Sequence, residues 1–285
     1  MTTQSSSRLK RIPLVRLDGQ VALVTGAGRG IGRATTLDLS AAGAAVAVCA
    51  RSQGEIAAVS GEIAARHSQA LALRCDVSDR QDVEAMVATI DKAIGPIDLL
   101  VNNAGQFGPV GPLASIDPDD WWHVLEVNLR GPLYCSRAVL PGMLARGRGR
   151  IVNISTTAAF AAVPMLSAYI VSKTALYRLT ENLAAETRER GVTVFAVSPG
   201  LVRTTMSESA RSCSEPTIER WFNDAFANEE HVPADVPAAL VVYLASGAAD
   251  ALTGRTIRAS EDVVQMVAES AEIEAHDLYV LRERE

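Results

Sequence analysis

A tyrosine and a lysine four residues apart are the side chains of this sequence best suited to moving a proton. They are Tyr169 and Lys173, in the stretch YIVSK. Residues i and i+4 of a helix share one face, so the phenol and the ammonium would converge there. A nearby cation favours the phenolate and lowers the pKa of the phenol from its usual value of about 10. The pair is a candidate acid or base, although ordinary amphipathic helices also carry this spacing.

A glycine-rich turn near the start of the chain is a second candidate site. The sequence VALVTGAGRGIG runs from an apolar stretch at 20–25 through glycines into a helical pattern that begins at Ile31. Free backbone N–H groups at a helix N-terminus bind phosphate, and glycines let the backbone approach a pyrophosphate closely. The spacing is T-G-x-x-x-G-x-G, and glycines also serve ordinary turns, so this stretch alone is weak evidence for a dinucleotide site.

The elements that must position these groups alternate along the chain. Apolar runs predict strands at 20–25, 44–50, 70–75, 97–102, 149–154 and 192–198. Helical patterns lie between them at about 31–42, 53–67, 79–94, 118–146 and 166–190. This alternation predicts an α/β fold of three layers, a doubly wound parallel sheet in a single domain. Ligands bind such sheets at the carboxyl ends of the strands.

Composition excludes several classes of function. The 285 residues carry a net charge of −6, which gives no sign of nucleic acid or of an anionic membrane as partner. No apolar run approaches the roughly 18 residues of a membrane span, and the first residues lack the apolar core of a secretory signal. The four cysteines show no CxxC spacing, so we expect a cytoplasmic protein without a metal.

Further polar clusters fall at or near the ends of predicted strands. They are NNAG at 102–105, NIST at 153–156 and SPGLVRT at 198–204, and VNLRG at 127–131 lies within a predicted helix. In this order, TGxxxGxG, NNAG, a strand-terminal hydroxyl, YxxxK and PGxxxT resemble the short-chain dehydrogenase/reductase family over about residues 18–257. The resemblance implies a Rossmann fold and an oxidoreductase that interconverts a ketone or aldehyde and an alcohol by hydride transfer with a nicotinamide cofactor.

The same resemblance implies roles for individual residues. Tyr169 would donate a proton to the carbonyl oxygen or accept one from the alcohol. Lys173 would hold the nicotinamide ribose and lower the pKa of Tyr169. Asn128 would position a water molecule in a proton relay to Lys173. A hydroxyl at the end of the fifth strand would bond the substrate oxygen.

Two residues compete for that hydroxyl role. The family's serine usually lies thirteen residues before the tyrosine, and that position holds Thr156, while Ser155 lies one residue earlier. Adjacent side chains on a strand point to opposite faces, so only one of them would face the substrate. Spacing favours Thr156. The alternative is that Thr156 only terminates the strand and the enzyme is slow.

The cofactor is predicted to be NADP, with NAD less favoured. An NAD enzyme would place Asp or Glu at the end of the second strand, where this chain has Ala50. Arg51 follows, and Arg29 lies in the glycine turn, so two guanidiniums are available for a 2′-phosphate. Together with these arginines, the resemblance implies a cofactor site that comprises Gly26, Gly28, Arg29, Gly30, Ile31, Gly32, Arg51, Ser52, Asp76, Val77, Asn103, Ala104, Gly105, Tyr169, Lys173, Pro199, Gly200, Val202 and Thr204.

The remaining segments predict the organisation of the chain. Residues 1–16 are expected to be a flexible extension and 17–258 the catalytic domain. Residues 259–285 replace the family's usual ending with an apolar extension, helical near 263–267 and strand-like over 276–281, that packs on the domain or on a partner subunit. Apolar residues beyond one buried face on the helices 118–146 and 166–190 predict a homodimer or homotetramer.

The sequence says less about the substrate than about the cofactor. Apolar residues at 157–168 and a tryptophan and phenylalanines within 205–232 favour a small apolar ketone or alcohol over a sugar. The alternative function is a dinucleotide-binding sensor or scaffold with weak or no catalysis. The presence of Asn128, Tyr169 and Lys173 together favours the enzyme.

Overall fold

Seven parallel strands form the centre of the computed structural model, which describes residues 12–282. The strands are β1 Val21–Thr25, β2 Ala45–Ala50, β3 Ala70–Arg74, β4 Leu99–Asn102, β5 Gly149–Ile154, β6 Val192–Ser198 and β7 Thr256–Arg258. Their order is β3-β2-β1-β4-β5-β6-β7, so the chain winds outward in both directions from the β1–β4 pair. The predicted doubly wound sheet is confirmed, and its topological switch point lies between β1 and β4.

Helices connect the strands. The α-helices are α1 Gly30–Ala41, α2 Gln53–Ala64, α3 Arg80–Ala93, α4 Pro118–Leu125, α5 Gly131–Arg146, α6 Ser167–Thr187, α7 Thr205–Ala210, α8 Pro216–Ala227, α9 Asp235–Ala245, α10 Val263–Ala268 and α11 Ser270–Ala275. The single helix predicted at 118–146 is interrupted by a π-helical turn, Glu126–Arg130, and Pro132, which has no N–H to donate, opens α5 just after it.

The alternation of strand side chains builds a core on each face of the sheet. Ala22 and Val24 of β1 belong to an apolar cluster with residues of α1, α2 and α9. Val21 and Leu23 belong to a second cluster with residues of α3, α5 and α6. With one apolar cluster on each face, the sheet lies between two layers of helices. Leu23 and Val24, which point to opposite faces, are both fully buried. Within residues 12–282, no helix combines the length and the apolarity that a bilayer crossing requires.

The C-terminal segment lies against β7 and α6 of its own chain. The backbone N–H of Thr256 donates to the carbonyl of Tyr279 at 2.8 Å, and the N–H of Leu281 donates to Glu181 at 2.6 Å. The strand predicted over 276–281 is absent, because Asp277 and Tyr279 adopt φ angles of 49° and 61°, which no strand allows. Residues 283–285 lie outside the described part.

At the other end, Ile12 and Val15 pack against the first core cluster. Residues 1–11 of the expected flexible extension lie outside the described residues. The boundaries 1–16, 17–258 and 259–285 stay a prediction.

Candidate active site

One cavity of about 970 Å³ opens at the carboxyl ends of the strands. Every residue of the predicted cofactor site lines it, and so do four of the five predicted catalytic residues: Ser155, Thr156, Tyr169 and Lys173. The fifth, Asn128, lies fully buried behind the wall. Residues of the predicted cofactor site that are up to 178 positions apart in the sequence, from Gly26 to Thr204, therefore line the same cavity.

The glycine turn forms one wall of the cavity. Gly26 and Gly30 have φ angles of 63° and 54°, and a Cβ on Gly32 would lie 2.3 Å from the carbonyl oxygen of Gly26. The turn opens into α1, whose N-cap residue Arg29 offers no side-chain hydrogen bond to the first-turn amides. Those amides have no intrahelical acceptor either, so the wall fits the pyrophosphate of a dinucleotide.

Asn103 holds the turn in place from the end of β4. Its Nδ2 donates to the carbonyl oxygens of Thr25 at 2.9 Å and of Gly26 at 3.1 Å. The hydroxyl of Thr25 in return accepts from the backbone N–H of Asn103 at 3.1 Å and of Ala104 at 3.0 Å. These reciprocal bonds explain why the NNAG and TGAG stretches must lie side by side.

Lys173 is buried, and its Nζ donates to the carbonyl oxygen of Ile154 at 2.8 Å. Nζ also lies 6.0 Å from the ring centroid of Tyr169, on the same face of α6. Burial lowers the pKa of Lys173 to about 8, because the ammonium loses its hydration.

The pKa of Tyr169 moves opposite to the prediction. Burial raises it, and the neighbouring Tyr177 adds to the increase. Desolvation of the phenolate is the largest cause, and the Lys173 ammonium, which is hydrogen-bonded to Ile154 and lies 6.0 Å from the ring centroid, does not offset it. At neutral pH the phenol is therefore protonated.

Asn128 lies in the π-helical turn, and its side-chain amide bonds to two other segments of the site. Its Oδ1 accepts from the N–H of Gln106 at 2.8 Å, and its Nδ2 donates to the carbonyl of Gln106 at 2.9 Å. The same Nδ2 donates to the hydroxyl of Ser172 at 3.0 Å, which donates to the carbonyl of Tyr169 at 2.7 Å. The amide thus joins the loop after β4 to the helix that carries Tyr169. Sequence reasoning missed Ser172, although it stands directly before Lys173.

The two candidate hydroxyls differ in their surroundings. Ser155 is buried, and its Oγ donates to the carbonyl of Lys173 at 3.3 Å. Thr156 is half-buried, and its Oγ1 accepts from the N–H of Ala158 at 3.3 Å as the N-cap of a short 3₁₀ turn. The hydroxyl hydrogen of Thr156 is therefore free to face the cavity, while Ser155 ties β5 to α6.

The cofactor end of the cavity holds two arginines and two carboxylates. Arg51 is exposed at the end of β2, and Asp76 lies near it. Burial opposes ionisation of Asp76, but hydrogen bonds from the hydroxyl and the N–H of Ser78 and the charge of Arg51 lower its pKa overall. The distance between Nη1 of Arg29 and Oε1 of Glu55 is 3.7 Å. The absence of Asp or Glu at Ala50 therefore does not leave this end without a carboxylate.

Glu55 is the residue that sequence reasoning missed at this end. It lies in the first turn of α2, three residues after Ser52, in the stretch SQGE. That spacing is typical of a capping box, in which the glutamate would bond back to the serine N–H. The signal was present in the sequence, but the direction in which this carboxylate points depends on the fold.

The substrate end contrasts with the cofactor end. Phe107 lies 5.1 Å from the ring of Tyr169 and 5.7 Å from that of Phe222, which in turn contacts Trp221 at 4.8 Å between centroids. The other residues that line the cavity around these rings carry no charge: Thr156, Thr157, Ala158, Val163, Pro164, Leu166, Ile170, Leu201, Thr205, Met206, Ser207, Thr217 and Ile218. Phe107 was not predicted, although it follows NNAG by two residues.

The helical segment at 205–232 joins the two ends. Thr204 caps α7 through a capping box with Ser207, and a Cβ on Gly30 would lie 3.1 Å from the methyl group of Thr204. A parallel bridge between Val202 and Val232 holds the base of this segment. The segment therefore lies against the glycine turn on one side and carries the aromatic residues on the other.

Comparison with known proteins matches the chain along most of its length. A family model described as short chain dehydrogenase matches residues 20–214. A short chain dehydrogenase of Pseudocercospora fijiensis is 35% identical over 263 residues, which cover 90% of this chain and 84% of that protein.

Solved structures match as well. A variant of actinorhodin polyketide ketoreductase with NADPH is 36% identical, covers 84% of this chain and 95% of its own, and has a TM-score of 0.78. A gluconate 5-dehydrogenase from Burkholderia cenocepacia in complex with NADP and tartrate is 31% identical, covers 85% and 94%, and has a TM-score of 0.77.

Proposed function

We propose that this chain interconverts an apolar ketone or aldehyde and its alcohol with NADP(H). The chain belongs to the short-chain dehydrogenase family and is an oxidoreductase of CH–OH and carbonyl groups. The observation that carries this proposal is the two-ended cavity: an uncharged aromatic end meets the glycine turn at Tyr169. Of the two functions that the sequence left open, family membership supports the enzyme over the sensor.

The bound nicotinamide would supply or accept the hydride. Tyr169 donates its phenolic proton to the carbonyl oxygen during reduction; its ring lines the cavity beside the aromatic end, with the Nζ of Lys173 6.0 Å from its centroid. Thr156 donates a second hydrogen bond to the same oxygen and so stabilises its developing negative charge. Lys173 would hold the nicotinamide ribose with its ammonium, and Asn128 holds the loop and helix that frame the site.

Cofactor preference follows from the charges at the other end. We propose that Arg51 and Arg29 hold the 2′-phosphate of NADP(H), with Ser52 beside them, and that NAD(H) binds more weakly. A hydrogen bond to a charged group contributes about 1.5–3 kcal/mol, so NADPH should bind roughly tenfold tighter than NADH at low salt. The solved relatives with bound NADP or NADPH support this preference.

Calorimetric titration with NADPH and NADH tests the cofactor proposal. The double variant Ala50→Asp with Arg51→Leu should reverse the preference, because it installs a 2′-hydroxyl acceptor and removes a phosphate ligand. Equal or tighter binding of NADH by the unaltered chain would contradict the proposal.

A substrate panel tests the apolar end. Neutral aromatic and aliphatic ketones of matched size should be reduced with NADPH, and sugar acids such as 5-ketogluconate should be poor substrates, because no charged side chain lines that end to pair with a carboxylate. Faster turnover of the sugar acid than of any neutral ketone would overturn the substrate class.

We also propose that the chain forms a homodimer or homotetramer in the cytoplasm. Leu133 of α5 and Val171 of α6 are 44% and 45% exposed, and burial of these faces against a second copy would remove them from water. The four cysteines are free thiols, as a reducing compartment would keep them. Sedimentation should give a species heavier than the 30.2 kDa chain, and Leu133→Glu should shift it toward the monomer.

A further inference from the structure

We infer that Glu55 determines how strongly this enzyme discriminates between NADPH and NADH: its carboxylate opposes the 2′-phosphate of NADPH and accepts a hydrogen bond from the 2′-hydroxyl of NADH. The inference rests on the proposed function, because it takes the cavity to be a nicotinamide dinucleotide site. It adds a residue that neither the family's motifs nor the end of β2 assigns.

The position of Glu55 carries the first step. A Cβ built on Gly28 would lie 2.7 Å from Cβ and 2.9 Å from Oε2 of Glu55, so this side chain lies directly on the glycine turn. Glu55 also lines the cavity together with Ala50, Arg51 and Ser52. In doubly wound folds the 2′-position of the adenosine ribose lies between the glycine turn and the end of the second strand. Glu55 stands in that interval.

The second step is that the carboxylate is available. The hydroxyl of Ser52 accepts from the backbone N–H of Glu55 at 3.5 Å, which is one half of a capping box. Within residues 12–282, the returning bond, in which the N–H of Ser52 would donate to the carboxylate, is absent. The carboxylate instead faces Arg29 at 3.7 Å, beyond hydrogen-bond distance, so its oxygens keep capacity for a ligand hydroxyl.

The third step is the charge balance. Arg29 and Arg51 are opposed by Glu55 and Asp76, so the cofactor end holds two charges of each sign. Ser78 donates two hydrogen bonds to Oδ1 of Asp76, at 2.7 Å and 3.0 Å, whereas Glu55 is the carboxylate that lies against Gly28 and Arg29 of the glycine turn. A 2′-phosphate must approach Arg29 past a like charge, while a 2′-hydroxyl finds an acceptor there. Glu55 therefore reduces the preference for NADPH over NADH that the two arginines create.

Glu55→Gln separates these effects, because it keeps the size of the side chain and the backbone bond to Ser52. Calorimetric titration should show NADPH binding about fivefold tighter, since the repulsion is removed, and NADH binding about fivefold weaker, since an amide replaces the charged acceptor. The NADPH-to-NADH affinity ratio should rise by an order of magnitude or more.

Glu62→Gln is the matched control. Glu62 lies on the same helix and carries the same charge, but it pairs with Arg33 at 2.5 Å and Arg66 at 2.7 Å, away from the cavity. It should leave both affinities within about twofold, so an equal effect of the two variants would mean that net charge alone acts, and would overturn the inference.

A double-mutant cycle with Arg29→Leu completes the test. The gain in NADPH affinity on Glu55→Gln should shrink in the Arg29→Leu background, because the carboxylate acts partly by neutralising this guanidinium. An affinity ratio that Glu55→Gln leaves unchanged, in a chain that binds both cofactors, overturns this inference alone. Failure of the unaltered chain to bind either cofactor overturns the proposed function as well.

Discussion

The two ends of the cavity solve different problems with different side chains. The cofactor end has Arg29, Arg51, Glu55 and Asp76 around a glycine turn, whereas the substrate end has aromatic and aliphatic side chains without a charge. Charged groups recognise a ligand through a few directed bonds and remain partly hydrated there, while the apolar wall excludes water and recognises mainly size and shape. The comparison teaches that one cavity combines two kinds of recognition: directed, charge-based contacts at one end, and size and shape at the other.

The largest expected effect lies where the two ends meet. Tyr169→Phe should lower kcat at least a hundredfold, because general acid catalysis contributes about 10²–10⁴ and the phenol is the proposed proton donor. The dissociation constant of NADPH should change by less than twofold, since the hydroxyl acts on the substrate oxygen. Stopped-flow turnover and fluorescence titration measure the two quantities. Activity above a hundredth of the parent would remove Tyr169 from the mechanism.

A somewhat smaller effect should separate the two hydroxyls at the end of β5. Thr156→Val keeps the shape and removes the donor, and should lower kcat about thirtyfold. Thr156→Ser should retain activity. Ser155→Ala should reduce stability more than turnover, since Ser155 bonds the carbonyl of Lys173. A severe loss of kcat in Ser155→Ala together with an active Thr156→Val would assign the role to Ser155 instead.

The apolar end should respond through substrate binding alone. Phe222→Ala removes a ring that contacts Phe107 and Trp221, and should raise KM for an aromatic ketone about tenfold while NADPH affinity stays constant. Trp122→Ala is the control, because Trp122 is 56% exposed and lies outside this cavity. If both variants change KM alike, the aromatic wall does not bind substrate.

The smallest expected effect is a gain in folding stability, whereas the variants above lose activity or binding. Lys173→Met should stabilise the fold by about 1 kcal/mol at pH 7 while abolishing activity, because burial of the ammonium costs free energy. The folded pKa of Lys173, about 8, lies below its usual 10.5. The gain should therefore be complete below about pH 8 and disappear by about pH 10.5, where lysine is neutral in both states. Chemical denaturation across pH measures it, and a gain that persists at pH 10.5 would contradict this account.

The sequence predicted the fold well because its signals are local. Strand ends from β1 to β6 match the apolar runs to within about two residues, since most of these runs reflect burial on both faces of a parallel sheet, although the edge strand β3 is only partly buried. The π-helical turn at Asn128 could not be predicted, because the helical periodicity continues through it and its side chain is held by the distant Gln106. The positive φ angles at Asp277 and Tyr279 likewise depend on contacts with Thr256 and α6.

The amino-acid sequence by itself determined the order of the strands along the chain, the glycine turn and the residue types of the candidate catalytic pair, because these depend on neighbours within a few positions. Tertiary structure alone decided the electrostatics. Burial raises the pKa of Tyr169 and lowers that of Lys173, and the fold turns Glu55 from the cap of α2 toward Arg29. Solvation and charge proximity are properties of the space around a group, and residues from distant parts of the chain fill that space.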